Sequence, residues 1–102
     1  MIITESFWKK EWLMPAPIQE FYFHETRKWR IDHAWADVKL AVEKEGGAWI
    51  SGRHNRGKGF IADMEKYNML TENGWHLLRY EPKKFDYDQI ARCYHNLKSE
   101  GL

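Results

Sequence analysis

Two stretches of strict alternation lie side by side in the first half of the chain. In Arg27–Trp35, the residues Trp29, Ile31, His33 and Trp35 fall on one face of an extended strand, and Arg30, Asp32 and Ala34 on the other. In Lys39–Glu45, Leu40, Val42 and Lys44 alternate with Ala41, Glu43 and Glu45. Ala36-Asp37 reads as a tight turn between them, so the two runs predict an antiparallel hairpin. In that hairpin, residues whose numbers sum to about 73 to 75 oppose one another, which sets Asp32 across from the Ala41–Glu43 region.

The remaining pattern supplies the other elements. Residues 1–14 predict a short amphipathic helix with Thr4 as N-cap and Phe7, Trp8, Trp12 and Leu13 on one face, ended by Pro15 and Pro17. The aromatic run Glu20–His24 predicts a strand. Gly46–Gly59 holds five of the seven glycines and reads as a loop. Phe60–Thr71 turns helical, with Phe60, Met64, Tyr67 and Leu70 as its stripe and Asn73-Gly74 as its stop. Trp75–Tyr80 predicts a buried strand broken by Pro82. Asp86 or Asp88 caps a last helix to about Ser99, with Tyr87, Ile90, Tyr94 and Leu97 inward. Hairpins followed by a helical crossover into a further strand predict an α/β sandwich on a small mixed sheet.

Length and composition narrow this picture. A chain of 102 residues is one domain with a small core. Six tryptophans exceed what such a core absorbs, so some either line a groove or subunit contact or cap core edges. The net charge of +1 does not announce a nucleic-acid binder. Local charge says more: Arg53, His54, Arg56 and Lys58 sit together with no acid in Ser51–Lys58, and Arg27, Lys28 and Arg30 precede Asp32. The single cysteine, Cys93, excludes an internal disulfide and a cysteine-based zinc site. No apolar run is long enough to span a membrane and the N-terminus lacks signal-peptide features, so an intracellular (cytoplasmic) location is expected.

The candidate chemistry lies in the acids of the central hairpin. Glu43 and Glu45 leave one face of a strand and Asp32 lies on its neighbour, so the three carboxylates can converge. Acids facing one another are costly without a cation, and hard oxygen ligands suit Mg²⁺ or Mn²⁺ rather than zinc. The carbonyl of Lys44 is available as a further oxygen. The alternative is that these acids form only the solvent face of the strand, since so short a pattern is weak by itself.

The segments WRIDHAW, LAVEKEGG, GRHNRGKGF and DMEKYN, in that order within residues 20–80, resemble small phage and bacterial nucleases of the PD-(D/E)XK superfamily, in particular proteins similar to the very-short-patch-repair endonuclease. The resemblance implies a restriction-endonuclease-like sandwich. It makes Asp32 the metal-binding Asp and Glu43 the acid of the (D/E)-x-K element. Glu45 stands in the slot where the superfamily usually has Lys. Lys66 on the following helix, or His54 or Lys58 from the glycine-rich segment, is then expected to supply the missing cation. Glu20 is a further metal-ligand candidate, with a surface strand-start Glu as its alternative.

The function these features imply is a Mg²⁺-dependent DNA endonuclease. Asp32 and Glu43 hold the ion, Glu45 assists, His54 and Lys66 are further catalytic candidates, and Arg27, Arg30, Arg53, Arg56 and Lys58 contact DNA. A domain this small has little surface for sequence readout, so shape or structure is the expected substrate feature: a branch, mismatch, nick or flap. Homodimerisation is expected if both strands are cut. The rival readings are a non-catalytic DNA- or protein-binding module on the same fold, motivated by the missing Lys, and a component that oligomerises through its tryptophans.

Overall fold

The computed structural model describes residues 5–45 and 52–101, residues 52–60 by backbone alone. In chain order its elements are helix α1 (Glu5–Trp12), strands β1 (Ile18–Tyr22), β2 (Arg30–Trp35) and β3 (Leu40–Lys44), helix α2 (Gly52–Glu72), strand β4 (His76–Tyr80) and helix α3 (Tyr87–Glu100). The sheet has the order β1-β2-β3-β4. The first two pairings are antiparallel and β3 pairs with β4 in parallel, so α2 is the crossover helix of a mixed sheet. Among the described residues no helix is long and apolar enough to cross a membrane.

Alternation along the central strands sends residues to two different cores. Trp35, Leu40 and Val42 bury against Trp8 and Met14 from the α1 region and against Ile90, Ala91 and Tyr94 of α3. Ala34 and Ala41 face the other way, where Ile31 and Leu70 of α2 join them and Tyr67, Trp75 and Leu77 pack around. Ile31 departs from the expected alternation: it and its partner Phe21 pack on the α2 side, whereas Gln19 and His33 border a small cavity on the α1/α3 side. The change of side coincides with Glu20, whose backbone takes a φ of 50° and interrupts the β1–β2 ladder.

Local chemistry accounts for most element ends. Leu13 adopts a φ of 54° after α1, and Met14 N–H closes onto the Trp8 carbonyl before Pro15. Thr4, the expected cap, lies outside the described residues. The hairpin turn takes four residues, Ala36–Lys39, rather than a two-residue turn, with Lys39 at a φ of 54°. Helix α2 ends in a Schellman motif: Gly74 sits at φ 82°, its N–H donates to Thr71, and Trp75 N–H reaches back to Leu70. Asp86 caps α3 by accepting Gln89 N–H at 2.9 Å.

Two further corrections concern α2. The Gly46–Gly59 loop is helical from Gly52 onward, and residues 46–51 lie outside the described part. Glycines cost a helix about 1 kcal/mol each relative to Ala, but extending an already nucleated helix adds one hydrogen bond per residue, and the intervening Arg and Lys are good helix formers. The inward stripe of α2 is also rotated. Met64 is exposed, while Asp63, Lys66, Tyr67 and Leu70 are the positions turned towards the sheet.

Candidate functional site

The β2–β3 register continues through His33↔Val42, Ala34↔Ala41 and Trp35↔Leu40, pairs whose numbers sum to 75. One step further it sets Asp32 opposite Glu43. Here side chains take over from the ladder. Asp32 N–H donates to Glu43 Oε2 at 3.0 Å, and Lys44 N–H donates to Asp32 Oδ2 at 2.8 Å. Each carboxylate is thus fixed by a backbone amide of the other strand. The two side chains lie on the α2 side of the sheet, the same side as Ala34 and Ala41.

Glu43 is only 3% exposed. Lys66, one helical turn before Leu70 on α2, places its ammonium on Glu43 Oε1. Lys66 is itself 15% exposed, so this is a largely desolvated ion pair. Burial pushes the Glu43 carboxyl up to about 7, with the adjoining Asp32 carboxylate acting in the same direction; the Lys66 ammonium and the Asp32 amide pull it down. Burial thus outweighs the Lys66 charge, and the carboxyl holds its proton more tightly than a free one.

Glu45, two residues on, belongs to a neighbouring cluster. Its Oε1 accepts Tyr67 OH at 2.7 Å and Arg79 Nε at 2.9 Å. Against the opposing effect of burial, these bonds hold its carboxyl below the usual range; burial, and then the hydrogen bond to the Glu45 carboxylate, drive the Tyr67 phenol strongly upward. Parallel pairing places Arg79 of β4 level with Glu43.

The structure therefore brings Asp32, Glu43 and Lys66 together and sets Glu45 beside them with Tyr67 and Arg79. Glu20 stands at the register position opposite Asp32, but its exposed side chain pairs with Arg30 at 3.0 Å. Arg27 bonds Glu65 at 3.3 Å and lies over the Trp29 ring at 4.1 Å. The side chains of Arg53, His54, Arg56 and Lys58 lie outside the described residues; their backbone forms the first turns of α2. Among the described residues no group of three or more His, Cys, Asp or Glu side chains is gathered into a metal cage.

Tyr67, expected on the inward stripe of its helix, and Arg79 of β4 both grip Glu45, a pairing the sequence pattern does not announce. The available signal was parity: Arg79 shares a face with Leu77, so it emerges on the α2 side, where Glu43 and Glu45 emerge from the adjacent strand.

Comparison with known proteins adds relatives of undefined role. No protein-family model matches the chain, and no solved structure matches it. Over 64 residues it is 31% identical to two uncharacterised proteins of Mycobacterium tuberculosis, one from strain CDC 1551 / Oshkosh and one from strain ATCC 25618 / H37Rv. The match covers 61% of this chain and 22% of each relative, so the chain matches about a fifth of the length of these curated relatives.

Proposed function

We propose that this chain is a Mg²⁺- or Mn²⁺-dependent DNA endonuclease domain of restriction-endonuclease-like architecture, acting on branched, mismatched, nicked or flapped DNA. The observation that carries the reading is the facing pair Asp32 and Glu43 on adjacent strands, with the Lys66 ammonium delivered to Glu43 from the crossover helix. This is the acid–acid–cation set that the superfamily resemblance calls for, with Lys66 standing in for the Lys that position 45 lacks.

The residues fit a hard divalent ion. Both are hard oxygen ligands of the kind Mg²⁺ takes, and Asp32 has a second oxygen, Oδ1, beside the Oδ2 that the Lys44 amide holds. A bound ion supplies a water of lowered pKa and neutralises charge at the scissile phosphate. The Lys44 and Asp32 amides each hold one oxygen of the pair in place, Asp32 Oδ2 and Glu43 Oε2. Lys66 contributes a fixed positive charge beside the reacting phosphate. Arg27 and Arg30, with Arg53, Arg56 and Lys58 on the first turns of α2, supply backbone contacts. Glu20 and His54 are left as outer candidates.

The test is cleavage of supercoiled plasmid and of branched or mismatched duplexes with Mg²⁺, with Mn²⁺ and with chelator. Metal-dependent cutting that falls to background in Asp32→Asn and Glu43→Gln supports the reading; cutting unchanged in both variants removes it. One observation favours a second reading. Both Glu43 oxygens are already engaged and Glu45 is committed to Arg79, which suits a non-catalytic DNA-binding module on the same fold. That reading expects salt-sensitive DNA binding with no metal-dependent cleavage.

A further inference from the structure

Next to the carboxylate pair, Glu45, Tyr67 and Arg79 form a unit with a shape of its own. Tyr67 OH and Arg79 Nε converge on a single oxygen, Glu45 Oε1. The guanidinium carbon of Arg79 stands 4.7 Å from the centroid of the Tyr67 ring. One hydrogen bond and one ring contact therefore hold the guanidinium. An arginine that serves only as a brace commonly meets a carboxylate with two parallel N–H groups. Here only Nε turns inward. The side chain is 49% exposed, and its two terminal nitrogens have no partner among the described residues. Asp63 on α2 adds negative field around the group. The fork is thus anchored on its inner edge and open on its outer edge, level with Glu43 across the β3–β4 pairing.

We infer that Arg79 is a phosphate-binding residue, its outer N–H groups donating to the non-bridging oxygens of a DNA phosphodiester neighbouring the one at Asp32 and Glu43, with Glu45 and Tyr67 as the residues that position it. The substrate class rests on the nuclease reading above. A preoriented fork loses little rotamer entropy on meeting a phosphate, which is where arginine exceeds lysine. It also gives Glu45 a task in this chain: the position that carries a cation in similar nucleases here carries an acid that holds a cation from β4.

The experiment measures DNA binding apart from catalysis. A fluorescently labelled branched duplex is titrated with wild-type protein, Arg79→Gln, Arg79→Lys and Tyr67→Phe in chelator, across a series of NaCl concentrations, and thermal melting checks folding. Arg79→Gln is expected to weaken binding about 10-fold or more at low salt, the loss of a charge-assisted contact, and to flatten the slope of log K against log[salt] by about 0.9, one phosphate contact. Arg79→Lys keeps the slope and loses several-fold in affinity; Tyr67→Phe weakens binding a few-fold with the slope unchanged. A wild-type slope and affinity in Arg79→Gln overturns the inference while leaving the nuclease reading intact. Should Arg79→Gln fail to fold, Arg79→Lys decides, and wild-type affinity there overturns it. No binding of any DNA by the wild type removes both.

Discussion

Replacing Lys66 with Met isolates the least conventional feature of the molecule, an acid 3% exposed against an ammonium 15% exposed. Breaking such a pair from one side costs about 3–5 kcal/mol when the remaining charge stays buried. Glu43 has an escape, because its carboxyl already sits at about 7 and loses a stabilising cation when Lys66 goes. At pH 6 it is protonated in both proteins, so the variant loses little more than a hydrogen bond, about 1–2 kcal/mol. Above pH 7 the wild type ionises Glu43 against Lys66, while the variant must keep the proton or bury a bare charge. Each further pH unit then adds up to about 1.4 kcal/mol, so at pH 9 the cost is about 3–5 kcal/mol. Urea unfolding of both proteins in chelator at pH 6 and pH 9 reads this directly from the midpoints, provided the m-values agree. A cost equal at the two pH values, or smaller at pH 9, refutes the buried ion pair as the source. The double variant Glu43→Gln/Lys66→Met is expected to regain most of the pH 9 loss, since neither charge is left alone.

The same carboxyl shapes the pH dependence of the metal-free wild type. Its folded pKa of about 7 lies above the ordinary glutamate value of 4.5, so the folded state binds the proton more tightly. The stability it contributes is full below 4.5 and is lost as pH rises to about 7 and beyond; relative to Glu43→Gln, the wild type should weaken between pH 5 and 8 in denaturant titrations. His33, whose pKa burial lowers, tilts the curve the opposite way and cancels in that comparison. Leu40, fully buried between the sheet and the α1/α3 layer, should cost about 2–5 kcal/mol as Leu40→Ala by chemical unfolding. Asp86→Ala should cost about 1 kcal/mol through the lost cap on α3, visible as a lower melting temperature.

Much of the arrangement was legible because a strand has a period of two. Alternation in Arg27–Trp35 and Lys39–Glu45 gave the hairpin, and the expected register included the sum of 75 that brings Asp32 to Glu43. The crossover into a parallel β4, the Asn73-Gly74 stop and the Asp86 cap followed from equally local signals. Local signals failed where a polar group had to point inward. A stripe chosen by hydrophobicity on α2 selected Met64 and passed over Lys66, because the sheet offers that helix a buried carboxylate as well as alanines. Glu45 could be assigned a face but not its partner 34 residues away. Glu20 shares the register of Asp32, yet its positive φ and the nearby Arg30 take its side chain elsewhere. Glycine content alone suggested a loop where the backbone of α2 already winds from Gly52.

The account turns on whether Asp32 and Glu43 grip a divalent ion together. Crystals equilibrated with Mn²⁺ at pH 8, measured at a wavelength where manganese scatters anomalously, answer that in one experiment. The expected result is an anomalous peak about 2.1 Å from an oxygen of each carboxylate, absent in crystals of Asp32→Asn. Clean density for both side chains with the Lys66 ammonium still on Glu43, and no peak between the two acids, would contradict it.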